Sequence, residues 1–240
     1  MKETKVDLHV HSIVSKCSLN PIYLLKKVCK KKNIIPAVCD HNKLTKLDFA
    51  IPGEEIATKT GEFIGLFLTE EIPPNLDIYE ALDRVSEQGG LIYLPHPFDL
   101  NRRRSLAKFG ILEDKEFLKQ VDIVEVFNSR CRSITPNLKA LEYAEKYGFA
   151  MGFGSDAHFI WEVENAYVIF DELDFEKPTD LSPKEFLRFL KIKSDELIKL
   201  KFSLLQNPWR TKYHYGSLGS KYNITLYSKI LKKIRRKLNI

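Results

Sequence analysis

No stretch of these 240 residues approaches the ~18 consecutive apolar residues of a membrane span, and no CxxC pair occurs. The first absence predicts no transmembrane segment. Met1-Lys2-Glu3-Thr4-Lys5 runs straight into Val6-Asp7-Leu8 without an apolar leader, so no secretory signal is expected and the cytoplasm is the expected compartment. Cys17, Cys29, Cys39 and Cys131 are scattered, which excludes a disulfide scaffold. Cys29 and Cys39 sit in apolar surroundings and read as buried thiols, whereas Cys17 and Cys131 fall in polar loops. Histidine is also scarce, at six residues.

An apolar share of 44% and a charged share of 29% describe a globular chain of a length that one α/β barrel commonly occupies. The net charge of +6 hides an asymmetry. Residues 191–240 carry thirteen Lys and Arg against two acids, leaving the preceding 190 residues with a balance of −5. Such a basic end is either a solubilising surface or an attractor of phosphate, nucleic acid or acidic lipid.

Strand-like runs alternate with helical periodicities along the first 170 residues. Val6 to His9, Ile34 to Cys39, Phe63 to Leu68, Leu91 to Leu94, Asp122 to Phe127, Phe149 to Phe153 and Ala166 to Phe170 read as strands. Helices are predicted after Pro21, with Asn20 as cap and Asn33 at the far end, over Asp77 to Gln88 before Gly89-Gly90, in a short piece between Asn101 and Lys119, and over Asn137 to Tyr147. This alternation predicts a mostly parallel sheet covered by helices. Polar residues recur at the C-terminal ends of the strands. Four or five strand ends feeding one site favour a closed barrel over an open doubly wound sheet.

From 176 onward the pattern is helical: Ser182-Pro183-Lys184-Glu185 is a capping box, Leu197 to Leu205 suggests a further helix, and Tyr227 to Leu238 is a basic amphipathic helix. Residues 1–175 are thus expected to form the barrel, and 176–240 a helical, basic extension packed on it.

Five of the six histidines share one kind of setting. His9 and His11 stand two apart after the first strand, with Leu8 and Val10 expected on the opposite face, so both imidazoles point one way. Asp156 and His158 repeat that spacing, His41 follows a strand end, and His96 lies between Pro95 and Pro97. Glu55 adds a carboxylate able to bridge two ions. Imidazoles beside carboxylates suit zinc, manganese or iron better than magnesium. Two or three such ions a few Å apart can clamp a phosphoryl group without a covalent nucleophile.

With Asp7-Leu8-His9-Val10-His11-Ser12, Asp40-His41-Asn42, Pro52-Gly53-Glu54-Glu55-Ile56, His96-Pro97 and Gly154-Ser155-Asp156-Ala157-His158 in this order, the sequence resembles the polymerase and histidinol phosphatase (PHP) superfamily of metal-dependent phosphoesterases. The resemblance implies a distorted seven-stranded (β/α)7 barrel of the TIM-like type, two or three divalent metal ions, and hydrolysis of phosphomonoesters or phosphodiesters. It implies that His9, His11, Glu55 and Asp156 hold one ion, Glu55 and His96 a second, and His41 and His158 a third, with Asp40 orienting His41.

Two departures from the family pattern stand out. Ser15-Lys16-Cys17-Ser18 occupies the place of an aspartate, where Cys17 could substitute, and Asn128 or Cys131 competes for a ligand position after the sixth strand, with Asn128 favoured. Arg102 and Arg130, nearest the strand ends, are the expected donors to substrate phosphate. His41 or His158 is expected to protonate the leaving oxygen. The expected substrate is a phosphorylated small molecule or nucleotide, or the end of an oligonucleotide drawn in by the basic C-terminal region, with Trp209, Tyr213 and Tyr215 as possible base platforms. A non-catalytic metal-binding scaffold that recognises nucleic acid or a protein is the alternative. Hydrolysis of a C–N bond is disfavoured because no lysine sits at an expected strand end.

Overall fold

The computed structural model describes residues 4–170 and 182–206, with side chains of the last helix described as far as Asp195. Strands β1 (Thr4–Val10), β2 (Ile34–His41), β3 (Ile51–Thr58), β4 (Gly61–Leu66), β5 (Leu91–Leu94), β6 (Ile123–Asn128), β7 (Ala150–Gly154) and β8 (Val168–Phe170) form one sheet in the order β7-β6-β5-β4-β3-β2-β1-β8. The sheet curls on itself. Near its start β1 pairs with β8 (Val6 opposite Val168), and at its end it meets the segment after β7 through a bridge between Val10 and Ala157. His11 N–H donates to Ala157 O at 3.0 Å and Asp156 N–H to His9 O at 2.7 Å across this seam. The result is the distorted, nearly closed TIM-like barrel.

Two strands depart from a simple β/α repeat. β4 runs antiparallel to both β3 and β5, and β8 runs antiparallel to β1. A tight hairpin replaces the helical crossover after β3; its turn is closed by Gly61 at φ +99°, a conformation that favours glycine. The C-terminal ends of six strands and the N-terminal end of β4 therefore share one mouth.

Helices α1 (Ile22–Lys32), α2 (Ile78–Glu87), α3 (Lys115–Gln120), α4 (Thr135–Tyr147) and α5 (Pro183–Gln206) cover the sheet. Asp77 caps α2, Pro136 enters the first turn of α4, and Gly148 and Asn33 end α4 and α1 in the left-handed conformation. Asn20 does not cap α1. Its amide donates instead to His11 O at 2.8 Å and Ala157 O at 3.1 Å, stitching the two mouth loops together. Ser182 caps α5, its Oγ accepting from Glu185 N–H and donating to the Glu185 carboxylate, but α5 is one continuous helix rather than two. Its buried Phe186 packs on Phe67 and Phe170, and Ser194 Oγ accepts from Met151 N–H at 2.8 Å, so the start of α5 belongs to the core. The segment from Tyr227 to Leu238, and Trp209, Tyr213 and Tyr215, lie outside the described residues.

One apolar cluster fills the lower barrel: Val6 and Leu8, Ala37 and Cys39, Ile64 and Leu66, Leu91 and Tyr93, Ile123 and Ala150. Another packs Ile56, Ile92, Leu94, Val124, Val126 and Met151 against α2 and α4. Val10 lies outside, with Leu25 and Cys29 of α1, so Leu8 and Val10 do not share the face expected for them. A register break between Asp7 and Val10 is the reason. This irregularity lets Leu8 fill the interior and still turns His9 and His11 inward above it, as bulges beside active sites do. Among the described residues no helix is long and apolar enough to cross a membrane.

Candidate metal centre

Alternation within strands continues the interior face upward from the apolar layer. On β2 the series Ala37, Cys39, His41 faces in, and on β3 the series Ile51, Gly53, Glu55 does the same. Gly53 is required because a Cβ there would lie 2.8 Å from Cys39 Sγ. The mouth holds His9, His11, Glu55, His96, Asp156 and His158, all buried, and the half-open His41. Non-glycine residues in the left-handed region are costly unless their surroundings hold them, and Asn42, His96 and Asp156 all adopt it here.

Hydrogen bonds assign the tautomers. His9 Nδ1 lies 3.1 Å from Glu125 Oε1, His11 Nδ1 3.2 Å from Ser15 Oγ, and His158 Nδ1 2.8 Å from the Asp156 carbonyl. Glu125 and the carbonyl can only accept, and the Ser15 hydroxyl hydrogen goes to Asp40 Oδ1 at 2.6 Å. Each Nδ1 therefore carries the proton, and each Nε2 presents a lone pair. The Nε2 atoms of His9 and His11 face one another at 3.1 Å, an arrangement that needs a proton or a metal cation between them.

The donor set fits a metal ion. Nε2 of His9 lies 3.6 Å from Glu55 Oε2 and 3.7 Å from Asp156 Oδ1, and Nε2 of His11 lies 3.4 Å from both oxygens. Ligands about 2.1 Å from a central ion in a tetrahedron are separated by about 3.4 Å. Both Glu55 oxygens, Asp156 Oδ1 and both ring nitrogens of His96 are buried without a hydrogen-bond partner. Further groups with ligand atoms inside 4.8 Å are His9 with His96 and Asp156, His11 with His41 and His158, and His41 with Glu55 and Glu62. Glu55 Oε1 lies 3.3 Å from His96 Nε2 while Oε2 lies 2.9 Å from His41 Nδ1, the placement of a bridging carboxylate.

Electrostatics follow from this crowding. Burial opposes ionisation of Asp156, yet the Arg102 guanidinium and His9 hold its carboxyl well below the usual range; burial likewise opposes Glu55, which His41 pulls well below its own. Burial, reinforced by His41, lowers His11 to about 4. His9 moves the other way: burial opposes its charge, yet Asp156 and Glu125 hold its imidazole well above the usual value. A bound ion would displace a proton there, whereas neutral His11 and the ionised carboxylates are already in the forms that ligate metal.

Several sequence expectations change in detail. Asp40 does not reach the His41 ring. Its oxygens accept from the N–H and Oγ of Ser12, the N–H and Oγ of Ser15, and Thr45 Oγ1, so it acts on the centre through Ser15, which also accepts from His41 N–H at 3.0 Å. Arg102 bonds to the Asp156 carboxylate and lies 3.4 Å from Asp99 Oδ2. Arg130 donates to the Asp156 carbonyl at 3.2 Å and lies 3.7 Å from Glu162 Oε2. Asn128 turns its NH2 towards Glu125 Oε2 (2.9 Å) and Asp156 Oδ2 (3.4 Å), and its Oδ1 accepts from Arg130 N–H, so the amide buttresses ligands instead of presenting a free oxygen. Cys131 is buried, and burial pushes its thiol up. Burial opposes ionisation of His41, yet Glu55 and, after it, Cys17 hold its imidazole well above the usual value.

Sequence reasoning passed over Glu125. It is buried on β6 and accepts from His9 Nδ1, Tyr93 OH (2.9 Å), His96 N–H (2.6 Å) and Asn128. An acid at an inward position of the apolar run Ile123-Val124-Glu125-Val126 was the available signal.

Comparison with known proteins agrees with this geometry. The family model described as PHP-associated matches residues 135–191. Uncharacterized protein MJ0417 of Methanocaldococcus jannaschii is 80% identical over 236 residues, covering 98% of this chain and all of that one. PsfC from Pseudomonas syringae superposes with a TM-score of 0.54 at 14% identity, covering 82% of this chain and 100% of PsfC. A two-domain protein from Bacteroides vulgatus containing a predicted PHP-like metal-dependent phosphoesterase superposes with a TM-score of 0.50 at 16% identity over 68% of this chain. That match takes in 54% of the Bacteroides protein, so the chain spans about half of its length. With the motif order, the barrel and the ligand clusters in agreement, the chain belongs to the PHP superfamily of metal-dependent phosphoesterases.

Proposed function

We propose that the barrel mouth hydrolyses a phosphate ester, either the phosphomonoester of a nucleotide or small metabolite or the terminal phosphodiester of an oligonucleotide, with two or three manganese, zinc or iron ions as cofactors. The observation that carries this reading is the convergence of the unpartnered oxygens of Glu55 and Asp156 on the Nε2 lone pairs of His9 and His11. His9, His11, Glu55 and Asp156 would hold one ion, Glu55 and His96 a second, and His41 and His158 a third. When bound, these ions supply Lewis acidity to the phosphoryl group and to water.

The remaining steps fall to the chain's own side chains. The Arg102 side chain keeps one quarter of its surface open while Asp156 and Asp99 hold part of its guanidinium. A guanidinium has five N–H donors, so those left over can take a phosphoryl oxygen. Arg130 contributes charge beside His158 and fixes the backbone of Asp156. His41 is the most open of the five mouth histidines, with its side chain 37% exposed, and when it holds no ion it, or His158, would pass a proton to the leaving oxygen. The basic residues beyond Lys191 would raise the local concentration of an oligonucleotide rather than take part in chemistry.

The test is a screen of purified protein on a generic aryl phosphomonoester and a bis-aryl phosphodiester with manganese, zinc and magnesium, alongside Asp156→Asn. Metal-dependent turnover that chelation stops and Asp156→Asn lacks is expected. Protein that binds its ions but cleaves neither substrate class would favour the non-catalytic scaffold.

A further inference from the structure

We propose that Glu62 is a metal ligand of this centre, joining His41 and Glu55. The proposal rests on the mouth being a metal site, and it concerns a residue from a strand that contributes no other ligand.

Topology supplies the first argument. Interior-facing residues of β4 alternate from Glu62 through Ile64 to Leu66, and the last two lie in the interior apolar cluster. Ile64 is paired with Glu55, so Glu62, paired with Ala57, stands one layer nearer the mouth than the bridging carboxylate. On a parallel strand the first interior residue would sit at the closed end. β4 is antiparallel, and its first residues reach the open end.

Local chemistry supplies the second. One oxygen of Glu62 lies within 4.8 Å of ligand atoms of His41 and Glu55. The Glu62 carboxylate accepts no hydrogen bond and forms no ion pair with the described residues; burial and repulsion by Glu55 oppose its charge, and His96, His41 and Arg102 offset them only in part. Beside it stand atoms that lack partners while buried: both Glu55 oxygens and both ring nitrogens of His96. His41 and Glu55 alone are too few for a closed shell, since structural and catalytic zinc sites draw three or four protein ligands, and Glu62 is the third member of that group. Asn128 is held away by Glu125, Asp156 and Arg130. A Glu62 carboxylate adds the negative charge that a neutral amide lacks.

The experiment measures bound ions per chain by elemental analysis after reconstitution with manganese or zinc, and affinity by calorimetric titration of the metal-free protein, for wild type, Glu62→Gln and Glu62→His. Circular dichroism monitors the fold. Loss of one ion equivalent in Glu62→Gln, or weakening of one class of sites by at least about tenfold, with the equivalent restored in Glu62→His, is the expected result. A merely structural role would not be rescued by a second ligand type. Unchanged ion count and affinity in Glu62→Gln would overturn the assignment while leaving the metal centre standing. Failure of the wild type to bind any ion would overturn both readings.

Discussion

Glu125→Gln is the most demanding test of how the centre is held. The substitution keeps the volume and turns one acceptor oxygen into a donor. In the folded chain Oε1 accepts from His9 Nδ1 and Tyr93 OH, and Oε2 from His96 N–H and Asn128 Nδ2. With its NH2 at the Oε2 place the amide meets two obligatory donors, His96 N–H and Asn128 Nδ2. With its NH2 at the Oε1 place it meets Tyr93 OH and His9 Nδ1, which can accept only after the hydroxyl turns and the imidazole proton moves to Nε2. A hydrogen bond to a charged group contributes about 1.5–3 kcal/mol and a neutral one about 0.5–1.5 kcal/mol, so exchanging four of the first kind for four of the second should cost roughly 4–6 kcal/mol. That is a large part of the roughly 5–15 kcal/mol that holds a typical domain folded. His9 also loses the acceptor that keeps its proton on Nδ1, and metal affinity should fall about 10–100-fold. Urea unfolding of the metal-free protein measures the first effect, and metal titration of the folded fraction the second. A loss below about 1 kcal/mol with unchanged affinity would refute the shared-acceptor role, because even the best amide orientation exchanges charged hydrogen bonds for neutral ones and moves the His9 proton onto the Nε2 that would ligate metal.

Glu55→Gln should release bound metal and abolish ester hydrolysis with the barrel intact, whereas Glu54→Gln should retain both metal and activity; the reverse result by elemental analysis and rate measurement would mean the wrong carboxylate was assigned. Glu54 faces outward on β3 yet is buried, its Oε2 accepting from Ile72 N–H at 2.9 Å, a contact that the amide oxygen of Gln can keep. Gly154→Ala would place a Cβ 2.0 Å from Glu125 Oε1 and 2.5 Å from the His9 Cβ. It should destabilise by about 1–3 kcal/mol through overpacking and lose metal; normal metal content in a calorimetric titration would contradict the close approach. Asp122 gives a pH signature away from the site: burial raises its carboxyl above 3.8 while Ile92 N–H opposes the rise. The folded chain thus binds that proton more tightly than the unfolded one, so the stability it contributes is present below the unfolded value and is lost as pH rises through the folded one. Asp122→Asn should flatten the curve of stability against pH in that window, and urea midpoints that track the wild type throughout would refute it.

Much of the centre was legible because its ligands sit where local sequence has authority. His9, His11, His41, His96, Asp156 and His158 lie in or just beyond the ends of parallel strands, and a run of apolar residues ending in an imidazole announces both the strand and its functional end. The period of two also placed Glu55 and Glu54 on opposite faces, although the shared burial of the pair was not visible, since Glu54 is covered by the chain around Ile72. Capping signals at Asp77, Ser182 and Gly148 are equally local, and they hold.

Strand direction and register are different in kind, because they depend on which chain segment lies alongside. The hairpin at Gly61 reverses β4 and delivers Glu62 to the mouth, and the irregularity between Asp7 and Val10 separates Leu8 from Val10. Asp40 contacts Ser12 and Ser15 only because β2 pairs with β1, and Glu125 collects donors from β1, β5 and the turn after β5 only once the barrel curls. Residue type and spacing determined which groups could bind metal. Tertiary structure decided which protons those groups carry and which acids join them, because a tautomer depends on an acceptor that here lies up to 116 residues away in the sequence.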